Sequence, residues 1–197
     1  RHFADWQAEK VAAPVRIVGQ PDLAREPAVD VFLHPALSES VTASREGEAR
    51  IAPDTIEERR QEVLAWLGEA IVNRRLARLA RQEDPPFKAA SFATTDVFRV
   101  GRLSQLSVDT EEGKWQRGID AAVAEYRRAL AGGFSEGEVA EQLVRLVSAY
   151  EDAAASEATR SNGVLTSDLM NFFDDGSIPD LPSQKLATLL PLKDTAT

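Results

Sequence analysis

Acid–base and metal chemistry usually calls on histidine, cysteine or closely set carboxylates, and this chain is poor in the first two. It carries two histidines and no cysteine, which excludes disulfides, thiolate catalysis and cysteine-ligated metal. His2 is followed by Phe3-Ala4-Asp5-Trp6, and His34 by Pro35-Ala36-Leu37-Ser38. Neither opens an H-x-x-E-H or H-E-x-x-H helix, the spacings that put two imidazoles and a general base on one face. His34, at a strand end beside a proline, reads as a turn residue, and His2 as an exposed helix residue. Adjacent carboxylates occur at Glu57-Glu58, Glu111-Glu112, Glu151-Asp152 and Asp174-Asp175. A helix terminus, a turn or a solvated face accounts for each pair. Gly132-Gly133 lacks the Lys-Ser/Thr of a phosphate loop, and no serine lies in a G-x-S-x-G elbow. The residues therefore offer no catalytic or metal site contained within this chain, and they leave the substrate-binding residues unassigned.

The net charge of −9 argues against a nucleic-acid partner, because phosphate binding needs a clustered basic face. Arg74, Arg75, Arg78 and Arg81 form the one basic run, and it reads as a solvated face that complements a helix C-terminus. Composition is that of a globular protein, with 43% hydrophobic and 28% charged residues. A chain of 197 residues can bury roughly 70% of its unfolded surface around one core. No apolar run approaches the roughly 18 residues that span a bilayer, and no signal-peptide pattern opens the chain.

These side chains would be positioned by a long helix joined to a strand pair. Thr55-x-x-Glu58 is a capping box, and Val63, Leu67, Ile71, Val72, Leu76 and Leu79 recur at threes and fours behind it. The spacing predicts one helix over residues 56–81, ~40 Å long at 1.5 Å per residue. After Pro85-Pro86 the period changes to two. Residues 92–98 and 102–109 read as a hairpin, with Gly101 supplying a positive φ in the turn.

Upstream, Phe3 and Trp6 suit the last turn of a helix, residues 10–25 a loop, and residues 28–34 and 40–45 two strands. Downstream, Trp115, Ile119, Ala122, Val123, Tyr126 and Leu130 form a helical stripe that stops at Gly132-Gly133. Ser135-x-x-Glu138 opens the next helix. Residues 159–173 are a third helix, 178–182 extended chain, and 183–190 a final helix. The order is β-β-α-β-β-α-α-α, an α+β fold with a mostly antiparallel sheet covered by helices. One domain spans residues 1–197, with the sheet and long helix in 1–110 and a helical half in 111–197. The abrupt opening at Arg1 and the apolar closing stretch Leu189-Leu190-Pro191-Leu192 read as the ends of a piece cut from a longer protein.

Asn73-Arg74-Arg75-Leu76-Ala77-Arg78-Leu79-Ala80, followed by Phe87-Lys88-Ala89-Ala90-Ser91, resembles the helix-then-hairpin segment of the inverted-zinc metallopeptidases of the insulinase, pitrilysin and mitochondrial processing peptidase family. Phe3-Ala4-Asp5-Trp6 is similar to that family's F-G-D-W helix end. Residues 131–139, Ala-Gly-Gly-Phe-Ser-Glu-Gly-Glu-Val, are similar to its G-F-T-x-x-E-L junction. The likeness extends over nearly the whole chain.

The resemblance implies a peptidase of homologous αβ subdomains in two halves that close around an extended peptide. It implies a zinc site on the first subdomain, with this chain as the second subdomain of the first half. Zinc then belongs to the parent protein and none is bound by this segment, which is itself inactive. Its partners would be the other subdomains and a peptide substrate, in a setting such as the bacterial periplasm or cell envelope. The open sheet edges, around residues 40–45 and 91–109, are the candidates for strand addition by a peptide or a neighbouring subdomain. The same resemblance allows an inactive homologue that acts as a structural or peptide-holding subunit.

Overall fold

The computed structural model describes residues 19–97 and 99–195. It is an α+β fold of three antiparallel strands and five α-helices: β1 (Ser40–Glu48), α1 (Ile56–Leu79), β2 (Ala89–Val97), β3 (Gly101–Asp109), α2 (Trp115–Gly132), α3 (Glu136–Ala155), α4 (Asn162–Asp175) and α5 (Pro182–Thr195). The sheet order is β1-β3-β2, with β3 in the middle. Along it Ser40 faces Asp109, and Ala89 faces Asp109 from the other side.

Alternation sorts the two faces. Leu106 and Val108 of β3 are buried, joined by Phe92 and Ala90 of β2, against Val72 and Leu76 of α1 and Ala122 and Ala129 of α2. Phe92 meets Tyr126 with ring centroids 4.8 Å apart. The opposite face carries Thr42, Ser44, Ser91, Ala93, Thr95, Gln105 and Ser107, and no helix covers it among the described residues. The helices thus form one layer on one side of the sheet. α1 is central to that layer and packs on β2, α2, α3 and α5.

The long helix begins where its cap places it. Thr55 Oγ1 accepts from the Glu58 N–H at 3.2 Å. The return half of that box is absent, because the Glu58 carboxylate pairs with Arg50 instead. At Ser135 both halves form, and Phe134 just before it packs against Gly68 of α1. Gly133 closes α2 with φ 65°.

Three expectations are corrected. Residues 28–34 do not form a strand: they run without regular structure, with Val29 89%, Val31 78% and Leu33 87% exposed. In the hairpin turn the positive φ belongs to Arg99, at 57°. Gly101 is instead the first residue of β3, and a Cβ there would lie 3.1 Å from Pro21 Cγ. The stretch 159–173 divides into a 3-10 turn, Glu157–Thr159, and α4, which Ser161 caps. The expected helix end at Phe3 and Trp6, His2, and the place of Phe98 in the hairpin lie outside the described residues.

Gly118 sets the distance between α2 and the sheet. A Cβ there would lie 2.5 Å from Thr110 Cγ2 and 3.2 Å from Val108 Cγ1, and Thr110 cannot swing aside because its hydroxyl donates to Glu39 at 2.9 Å. Gly118→Ala gains helix propensity but overpacks this contact. The expected net effect in urea denaturation is a loss of about 1–3 kcal/mol.

Candidate functional site

A free sheet edge is a row of unpaired N–H and C=O groups able to accept another strand. The backbone pairing identifies which edge is free here. The Thr110 N–H donates to Glu39 C=O at 3.0 Å, so every second residue of β1 from Glu39 bonds to β3 and those between turn outward. Thr42, Ser44 and Glu46 therefore present N–H and C=O away from the sheet, and no hydrogen bond to them appears among the described residues. All three are exposed.

The other edge is closed by α1. Asn73 donates to Phe92 C=O at 2.9 Å and accepts from the Phe92 N–H at 2.7 Å, as another strand would. Glu69, one turn earlier, accepts from the Thr94 N–H at 3.1 Å. Among the described residues the edge at 40–45 stays open, while in 91–109 the β2 edge is occupied at Phe92 and Thr94 and β3 is internal. The sequence held a signal for this: Asn73 is a polar residue set beside Val72 in the apolar stripe of α1.

Glu39 fixes the start of β1. Its carboxylate accepts N–H groups from Gly113, Lys114 and Trp115 at 2.9–3.1 Å, together with the Thr110 hydroxyl. These are the orphan donors at the start of α2, which has no side-chain cap of its own. The Gly113 N–H and then the Thr110 hydroxyl hold the Glu39 carboxyl below its ordinary range.

The arginine run is not one solvated face. Arg75 is 13% exposed and grips Glu138 through two bonds of 2.7 Å. It also donates to Gly133 C=O, stands 3.6 Å from the buried Glu125 carboxylate, and covers the Phe134 ring. Arg74 pairs with Glu141 at 2.6 Å, while Arg78 and Arg81 are exposed as expected. The run joins α1 to α2 and α3.

A cleft of about 780 Å³ opens between the start of α1, the ends of α3 and α5, and the hairpin tip. Arg59 organises its rim. It pairs with Asp54 and Asp180 and donates to Ile178 C=O, while the Ile178 N–H returns to Asp54 at 2.7 Å. Arg59 first, and the Ile178 N–H after it, hold Asp54 below the usual carboxylate range. Trp66, Val63 and Leu146 supply apolar wall. The charges around Arg59 are consumed in tying the α4–α5 connection to α1.

No protein-family model matches the sequence, and no curated protein matches it. Solved structures do. The periplasmic protease PqqL from Escherichia coli superposes with a TM-score of 0.71 at 14% identity, over 87% of this chain and 21% of that one. An insulinase family protease from Yersinia pestis gives 0.67 at 14% identity, over 98% of this chain and 44% of that one. The chain has the fold of an insulinase-type protease subdomain. The ferredoxin protease FusC, solved as a mutant with Arabidopsis ferredoxin, gives 0.63 at 18% identity, over 94% of this chain and 21% of that one. This chain thus spans between a fifth and less than half of the length of these insulinase-type structures.

Among the described residues no side chains are set to hold zinc. His34 is bound into its own turn, where Nδ1 accepts from the Ala36 N–H at 3.2 Å. No group of three or more His, Cys, Asp or Glu among the described residues is arranged to hold a metal ion. The carboxylate pairs fall apart in space: Glu57 meets Gln61, Glu58 meets Arg50, Glu111 meets Lys114, and Glu151 and Asp152 are exposed on α3. The side chains of Asp174-Asp175 lie outside the described residues. Gly132-Gly133 ends a helix and opens no phosphate loop.

The Arg75 pair makes a pH prediction. Arg75, and after it the Ser135 N–H, hold Glu138 down to about 2 from an ordinary 4.5. A lowered folded-state pKa contributes stability that is complete above the unfolded value and lost as pH falls through the folded one. Glu138→Gln keeps the capping geometry but removes the charge. At pH 7 it is expected to cost about 2 kcal/mol. That deficit shrinks between pH 4.5 and pH 2, as measured by urea denaturation of both proteins across the range.

Proposed function

We propose that this chain is a non-catalytic subdomain of a longer zinc-dependent metalloendopeptidase that cleaves peptides, where it supports the zinc-bearing subdomain and lines the substrate chamber. The observation that carries this reading is the match of 87% of the chain to 21% of PqqL. A fold that fills one part of a larger protease is best explained as such a part. The helix-free sheet face, largely polar, suits a chamber wall. A periplasmic location agrees with that of PqqL. Among the described residues no helix is long and apolar enough to cross a membrane.

The test compares this chain with the full polypeptide that carries it, for zinc content and for cleavage of a quenched peptide library. Zinc and chelator-sensitive cleavage are expected in the full polypeptide alone. Cleavage by this chain, or no zinc in either, overturns the reading; the second result favours the inactive, peptide-holding homologue.

Within the same reading, the peptide adds along β1, where the outward N–H and C=O groups have no partner among the described residues. An unfolded peptide at saturation is expected to slow amide exchange at Thr42, Ser44 and Glu46. Ser44→Pro removes one outward N–H at an edge, where proline is tolerated, and should abolish the effect while leaving the circular dichroism unchanged. Unaltered exchange at saturating peptide removes β1 as the site.

A further inference from the structure

Residues 29–33, Val-Asp-Val-Phe-Leu, have the composition and alternation of a strand and none of its bonds. Val29, Val31, Phe32 and Leu33 are 78–89% exposed. No hydrogen bond among the described residues reaches the backbone of residues 26–33. Among the described residues both faces and both edges of the run are therefore open. Four large apolar side chains so exposed, on a backbone whose polar groups are also unpaired, mark a surface made for contact.

The run is held in place from both sides. Pro21 packs against Gly101, at the far end of the sheet from Ser40. After the run, the Leu37 N–H closes a turn onto His34 C=O at 3.1 Å, and Glu39 is anchored at the start of α2. Its acceptor is not the β2 edge, which Asn73 and Glu69 fill. Nor does it bond to β1. The solved chains with this fold extend far beyond the part it matches, which is 21% of PqqL and 44% of the Yersinia pestis protein. The remainder of such a polypeptide is thus the partner at hand.

We propose that residues 29–33 are a donated strand, which pairs with the edge of the sheet in an adjoining subdomain of the longer polypeptide. This rests on the reading of the chain as one subdomain, but not on the peptidase activity of the whole. Backbone pairing fixes the register between subdomains, and Val29, Val31 and Leu33 enter the neighbour's apolar layer on one side. Asp30 and Phe32 fall on the other side, where the Asp30 charge discourages pairing with unrelated strands.

The experiment is hydrogen–deuterium exchange at residues 29–33, in this chain alone over a dilution series and in the full polypeptide. Exchange is expected to be as fast as in an unstructured peptide in the chain alone, and slower by about 100-fold or more in the full polypeptide. Val31→Pro is then expected to leave the thermal midpoint of this chain unchanged and to lower that of the full polypeptide by at least about 3 °C. Equal, fast exchange in both overturns the proposal. Protection in the chain alone also overturns it, pointing to a second copy if it fades on dilution and to β1 of the same molecule if it does not. Protection in a full polypeptide that neither binds zinc nor cleaves peptide would sustain the strand and remove the peptidase reading.

Discussion

A three-stranded sheet has two edges, and this structure leaves them in opposite states through one asparagine. Asn73 offers its amide to Phe92 as a strand would, accepting one hydrogen bond and donating another. Buried or half-buried backbone groups left unpaired cost on the order of 1–3 kcal/mol each, so this side chain ties the position of α1 to the sheet. The helix cannot rotate about its axis without breaking both bonds. That one alignment then directs Leu76 and Val72 into the sheet core and leaves Arg75 aimed at Glu138 across the helical layer. It also leaves β1 as the edge whose outward groups have no partner among the described residues.

Charge is used in the same way, to orient elements. Glu39 serves as a cap for a helix some seventy positions further along the chain, so the entry to β1 and the start of α2 move together. Arg75 joins three helices at a point where Glu125 is 3% exposed. An isolated carboxylate so placed would be expensive, and the guanidinium beside it answers that cost with geometry as well as charge. Arg59 does likewise for the connection between α4 and α5. Although the chain is strongly acidic, its arginines near these junctions are largely committed within the fold.

Much of this was legible in the sequence, because local rules governed it. The capping residues Thr55 and Ser135, the stop at Gly133 and the hairpin after Pro85-Pro86 follow from residue type and spacing alone, and each stands where expected. The misses share a different cause. Residues 28–34 satisfy every local criterion for a strand, yet a strand exists only through a partner. Gly101 looked like a turn glycine but begins a strand beside Pro21, while Arg99 takes the left-handed conformation. The role of Asn73, the cap from Glu39 and the burial of Arg75 join residues far apart in the chain, and no short window of sequence contains them.

The same distinction bears on function. Catalytic motifs are local in sequence because a helix or a turn must present two or three groups at fixed spacing. A surface that acts by backbone pairing has no such signature: any residues with the right conformation will serve, and the outward groups of Thr42, Ser44 and Glu46 are the same N–H and C=O found everywhere. What distinguishes β1 is only that its neighbours leave it open while the opposite edge is filled. For a surface that acts by backbone pairing, the informative residues are therefore those that close the competing surfaces. Asn73 and Glu69 belong to that set, since they occupy the β2 edge at Phe92 and Thr94.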